Sequence, residues 1–339
     1  MRATLLTGEV IDLEVPEPPP IEWAVPDSPE LVELVQRLVA QGHRIDEAQA
    51  FWSGFEGPSD PVERARWDRE LAERIHALLV DSRPPRLREI VELRHFPLGV
   101  VAQSSAMTPA GLVKLMVASG QFGWYSHQLT DLDAHHHACG RPSLLEFAAM
   151  LDDCGYDGAD VVVKAYTSRH LAEDWSDDAV WPFFARHLDK LFAFQERQAS
   201  NRDDQTGFYR ALRTFPALPD VVVDKLYKLA VSTRKHDRPG AQEFLAGHHD
   251  RARRAVAALA DKQSEVRIIA ADWLGVIGDP GVVPELKRAF ARERNEAAKA
   301  AMLGALVALG EDVLSPDELN RTAAKASRKA LPKALVWFP

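Results

Sequence analysis

Val266 to Gly278 reads VRIIAADWLGVIG, and Ala298 to Gly310 reads AKAAMLGALVALG, the same pattern 32 residues later with glycine falling on glycine. A period of this length is the signature of stacked helical hairpins, in which each unit presents an apolar face that its neighbours cover. The punctuation around the two copies agrees. Asp250 reads as the N-cap of a helix carrying Ala252, Val256 and Leu259, and Ser264 opens a second with Val266, Ile269, Ala270, Trp273 and Ile277 inward. Gly278 supplies a left-handed C-terminal position, Asp279 the next cap and Pro280 a first-turn proline. Val282, Val283, Leu286, Ala289 and Phe290 form the following stripe, and Asn295 starts the last helix of the pair.

Upstream the chain also reads as helical. Ser28-Pro29, Asp60-Pro61 and Thr108-Pro109 each place a capping side chain before a first-turn proline. Behind them Leu31, Leu34, Val35 and Leu38 recur at helical spacing, as do Leu71, Ile75, Leu78 and Leu79, and then Leu112, Leu115 and Met116. Further helices are expected over Leu144 to Leu151, Ala179 to Phe194 and Phe208 to Leu212. Almost no segment alternates with period two. Before Ser28, the run VPEPPPIEWAVP excludes helix and favours an extended arm, which either pairs as a short hairpin or lies along the first helices.

With the repeat in place, the residues carry a family likeness. EVRIIAADWLGVIGDPGVVPELKRAF resembles a HEAT repeat of the bacterial short-repeat type, with its Val-Arg, Ala-Ala, Leu-Gly and Gly-Asp-Pro punctuation. A wider pattern runs through Trp181-Pro182-Phe183-Phe184, Thr214-Phe215-Pro216, Lys235-His236-Asp237-Arg238-Pro239 and Leu331-Pro332-Lys333-Ala334-Leu335. Together these resemble the large bacterial proteins related to the molybdate metabolism regulator MolR, over roughly the second half of the chain. The resemblance implies HEAT repeats that precede a further carboxyl-terminal domain, and it carries no catalytic residue across.

The expected fold is therefore all-α, a helical amino-terminal region followed by a HEAT-type α-solenoid. Its parts are an extended proline-rich arm over 1–27, a helical domain over 28–200, repeats over 201–312 and a capped helix over 313–339. In that last part Ser315-Pro316-Asp317-Glu318 forms a capping box. Leu331, Leu335, Val336, Trp337 and Phe338 then ask for a surface to bury against, so the sequence reading expects a further domain beyond Pro339.

Composition narrows the function classes. Of 339 residues, 46% are hydrophobic and 27% charged, which is ordinary for a globular chain. Cys139 and Cys154 are too few for a disulfide framework. Glu9, Asp12 and Glu14 interrupt the apolar run an export signal needs, and no stretch reaches the roughly 18 apolar residues of a membrane span. The reading is a cytoplasmic protein with no membrane partner. The net charge of −9 divides into −13 before Arg251 and +4 from there onward. An acidic body argues against a whole-molecule grip on nucleic acid.

Candidate sites are few. His135, His137 and Cys139, with Cys154 downstream, have zinc-ligand chemistry, but their spacing departs from paired ligand motifs and suits a polar loop. No cofactor is expected. His248-His249-Asp250 has general-base chemistry without a neighbouring nucleophile, and Asp250 is better read as a cap. Arg267 and Lys299 hold equivalent repeat positions on second helices, which usually line the ligand-facing side of a solenoid. They form either a basic ladder for acidic peptides or phosphates, or a structural bridge from Arg267 to a turn carboxylate such as Asp279; the bridge is favoured. Phosphate-binding GxxxxGK[ST], dinucleotide GxGxxG, zinc-protease HExxH and hydrolase GxSxG motifs are all absent. The expected function is a non-catalytic scaffold binding protein, either its own distal domain or another chain. The rival is a HEAT-like DNA glycosylase built on Asp272 and Trp273.

Overall fold

The computed structural model describes residues 1–40, 58, 60–86, 89–90, 104–119, 142–167, 175–198 and 205–311. These residues are mostly helical, with one two-stranded hairpin. They fall into two compact units: Glu14–Pro216, and Met1–Leu13 together with the chain from Ala217 onward. His135, His137, Cys139 and the whole capped segment after Glu311 lie outside the described residues.

In the unit Glu14–Pro216, the arm after Leu13 is extended as its prolines require. It is also anchored: Trp23 and Val25 are buried, the Trp23 indole donates to Asp153 (3.1 Å), and the Val25 N–H donates to the Leu79 carbonyl (2.9 Å). Helix α1 begins at residue 29 and is helical through residue 40, with the Ser28 hydroxyl accepting from the Leu31 N–H at 3.1 Å. Helix α2 (Pro61–Val80) is capped by Asp60, and α3 (Pro109–Ala118) by Thr108, as read from the sequence. Helices α4 (Leu144–Asp153) and α5 (Gly158–Thr167) pack on each other. Then come α6 (Asp177–Arg186), α7 (Leu188–Gln198) and α8 (Gln205–Arg213). Phe147, Phe183, Phe184 and Phe208 fill the interior between them.

The single helix expected over Ala179 to Phe194 is two. Its path breaks at His187 (φ −119°, ψ 36°), five residues after Pro182, whose missing N–H already removes one helical bond. The His187 ring rests on Phe183 (centroids 4.8 Å apart), and the new axis buries Leu188, Leu191 and Phe194.

The other unit starts with the hairpin that the sequence left open. Strands β1 (Arg2–Thr4) and β2 (Val10–Asp12) pair antiparallel, Ala3 opposite Ile11, around a turn closed by Gly8 at φ 94°. The hairpin is tied to helix α9 (Asp220–Ala230): the Thr4 hydroxyl donates to Asp220 (2.6 Å), and Ala3 bridges Pro219. Its turn meets the loop before the repeats, where the His249 N–H donates to the Leu6 carbonyl (3.1 Å).

After α10 (Arg238–Phe244) come the two hairpins of the repeat. The first is α11 (Arg251–Ala258) and α12 (Ser264–Ile277); the second is α13 (Val283–Arg292) and α14 (Glu296–Ala308), entered through a 3-10 turn at Pro280–Val282. Gly278 and Gly310 both take positive φ (70° and 85°), so the glycine correspondence in sequence is a correspondence in backbone. Asp279 caps the 3-10 turn through the Gly281 N–H, and Asn295 caps α14 through those of Ala297 and Ala298. Asp250 occupies the cap position of α11 but does not cap it. Its backbone (φ −93°, ψ −1°) lacks the extended geometry that aims a carboxylate at the first turn, and the side chain pairs instead with Arg253.

The second helices abut closely. A Cβ on Gly275 would stand 3.4 Å from the Ala305 Cα, and this α12–α14 contact is the most extensive between helices among the described residues. The first helices, α11 and α13, make little direct contact.

Candidate functional site

Where α11 and α13 part, an open groove of about 530 Å³ is left. Val256 from α11, Leu259 just after it and Ala289 from α13 give it an apolar floor, and Arg288, Arg292 and Arg294 stand along its α13 side. The floor is made of residues from the apolar stripes of the two first helices, with Leu259 buried and Val256 and Ala289 half-buried.

The groove is also lined by a multiply hydrogen-bonded ion pair. Arg267 donates through Nε and Nη2 to the two Glu293 oxygens (2.6 and 3.0 Å) and through Nη1 to the carbonyls of Asp261 (2.9 Å) and Lys262 (3.2 Å). Glu293 also accepts the N–H groups of Arg294 and Asn295, both at 2.8 Å. The two side chains are only 17% and 6% exposed. Hydrogen bonding from Arg267, then from the Asn295 backbone, holds the Glu293 carboxyl down at about 2, and the same contact raises the Arg267 guanidinium. The arrangement ties the loop between α11 and α12 to the loop between α13 and α14.

Arg267 is thus a structural bridge, as favoured, but its partner is Glu293 rather than Asp279. Asp279 is committed to the Gly281 N–H. Lys299 sits with Nζ 5.4 Å from the centroid of the Phe290 ring, a cation–π contact back onto α13. The repeat equivalence of Arg267 and Lys299 does not place two free cations on the ligand-facing side expected of the second helices. The groove lies between the first helices.

Cys154, the one described member of the metal candidates, closes α4 with a half-buried thiol pushed up to about 12 by burial and then by Asp153. Among the described residues no group of three or more His, Cys, Asp or Glu side chains is arranged to hold a metal ion.

The histidine cluster is a packing node. His248 is 5% exposed, and its Nδ1 faces both the Tyr227 hydroxyl (3.0 Å) and the Asp250 N–H (3.2 Å). Accepting from a backbone N–H leaves the ring proton on Nε2, which is buried with no hydrogen-bond partner among the described residues. Burial, and then the neighbouring His249, lower the His248 pKa. The Asp250 carboxylate points to Arg253 and not to the imidazole, so it does not orient a general base. For the glycosylase reading, Trp273 is 4% exposed and lies 6.2 Å from the Tyr227 ring, while Asp272 is exposed on the other side of α12. An indole so placed has no face free for a base.

Two features escaped the sequence reading. Arg292 and Arg294 carry a signal only in retrospect, as closely spaced cations in RAFARERNE. Lys114 carries none: it interrupts an apolar helix yet is fully buried, donating to the carbonyls of Leu78 (3.0 Å), Leu79 (3.5 Å) and Asp81 at the end of α2. It satisfies carbonyls that a helix end leaves orphaned, while burial lowers its own pKa.

No helix among the described residues is long and apolar enough to cross a membrane. Comparison with protein-family models, with curated proteins and with solved structures finds no match to this chain.

Proposed function

We propose that this chain is a HEAT-type helical-repeat protein, akin to the MolR-related bacterial proteins its sequence resembles. On this reading it is a non-catalytic interaction module whose groove between α11 and α13 receives a segment of a partner protein. The observation that carries the reading is the groove itself, an apolar floor rimmed by guanidinium groups between two hairpins of one repeating pattern. Repeat surfaces of this kind suit extended contacts and need no reacting group. The burial of Trp273 favours it over the glycosylase alternative.

The test is fluorescence anisotropy of the protein with labelled peptides of acidic, neutral and basic composition, alongside Ala289→Trp, which fills the floor of the groove. Saturable binding by one class that Ala289→Trp abolishes is the expected result. Absence of binding by every class overturns the reading, as does base release from alkylated duplex DNA that is lost in Asp272→Asn.

A further inference from the structure

We propose that the occupant of the groove is an acidic protein segment, an aliphatic side chain seated on Val256, Leu259 and Ala289 with neighbouring carboxylates meeting Arg292 and Arg294. The proposal rests on the interaction-module reading and adds to it the chemistry of the partner.

The charges lining the groove support this assignment. Arg267 is cancelled by Glu293, and Arg288 by Glu285 at 2.5 Å. The guanidinium groups of Arg292 and Arg294 have no partner among the described residues. Arg292 closes α13, where a cation is favoured by the helix's negative end. Arg294 has no such support. It stands one residue before Asn295, the cap of α14, next to a positive helix end that disfavours a cation. The fold therefore gains little from Arg294, and an anion brought between the two arginines relieves both.

The same lining argues against nucleic acid. Asp261, Glu285 and Glu293 border the groove and would oppose a continuous row of phosphates, and the floor offers no aromatic ring on which a base can stack. A peptide with a few carboxylates beside an aliphatic residue needs only the two arginines, and Glu293 and Glu285 are already paired with Arg267 and Arg288.

The experiment uses the 339-residue chain and two labelled peptides, one of Glu and Asp around a central Leu, the other with Lys replacing each acid. The acidic peptide is expected to bind, to weaken as salt rises, and to lose about tenfold or more in affinity in Arg292→Glu/Arg294→Glu, because rim charges act mainly through complementarity. The basic peptide is expected to bind only that double variant. Both arginines are exposed, so an unchanged melting temperature shows that the variant is folded. Equal binding of both peptides by the wild-type chain overturns the proposal, as does tighter binding of duplex DNA. A concentration-dependent dimer that the double variant abolishes also overturns it, assigning the groove to a second copy. A neutral or basic peptide displaced by Ala289→Trp removes the acidic assignment and leaves the interaction module standing; no binding by any peptide removes both.

Discussion

Replacing Glu293 by Gln keeps the shape of the side chain and removes the charge that joins the two hairpins. In the wild-type chain the carboxylate receives two N–H groups from Arg267 and two from the backbone, with side chains 17% and 6% exposed. A solvated pair contributes about 0–1 kcal/mol and breaking a buried one costs about 3–5. This pair lies between those limits and nearer the buried one, so Glu293→Gln is expected to cost about 2–3 kcal/mol at neutral pH. Urea unfolding followed by tryptophan fluorescence reads it, because Trp273 sits in the adjoining core. The sign with pH is fixed by the depressed carboxyl. Its folded value of about 2 lies below the ordinary 4.5, so the contribution is complete above 4.5 and is lost as pH falls toward 2. Gln does not titrate, and the gap between wild type and variant should close over that interval. A gap under about 0.5 kcal/mol at pH 7, within the range of ordinary surface substitutions, or one that persists unchanged to pH 2, refutes the clamp.

Trp273→Ala should destabilise by roughly 3–5 kcal/mol, as for other buried aromatic truncations, and an unmoved melting temperature would put the register of α12 in error. Lys114→Met removes the donor that satisfies carbonyls at the end of α2, and should cost about 1–3 kcal/mol in a denaturant titration despite suiting an apolar helix. His248 is held neutral with its pKa lowered from 6.5, so the stability it contributes is whole above 6.5 and declines as pH drops below it. Between pH 7.5 and 5.5 the wild-type urea midpoint should therefore fall further than that of His248→Phe; parallel slopes count against the assignment.

Local signals were legible in the sequence because they act over a few residues. Ser28, Asp60, Thr108 and Asn295 cap the helices they were read to cap, and Gly278 and Gly310 take the left-handed turn the repeat asks of them. Asp250 failed as a cap because its backbone does not aim the carboxylate at the first turn, and Arg253, three residues on, takes it instead. The break at His187 depends on what Leu191 and Phe194 bury against, which spacing alone does not tell. The site was less legible still. Arg267 and Glu293 lie 26 residues apart and meet only once the hairpins are stacked. The groove is a gap between α11 and α13, and an unmade contact leaves no motif. Lys114 reads as an interruption until the end of α2 is placed beside it.

The close approach at Gly275 bears on the proposed docking of a segment in the groove. With α12 and α14 in contact along their backs, α11 and α13 are held apart by the packed second helices and the 3-10 turn against α11, and by the Arg267–Glu293 tie in the groove lining itself. On the proposed reading the groove is preorganised, and a bound segment pays mainly for its own ordering rather than for prising helices apart. Association is then limited by encounter and steering, with rates that drop as ionic strength rises and show no slow opening phase. A larger residue at position 275 would act as a wedge in the hinge of this arrangement, changing affinity from the opposite side of the repeat without touching the bound segment.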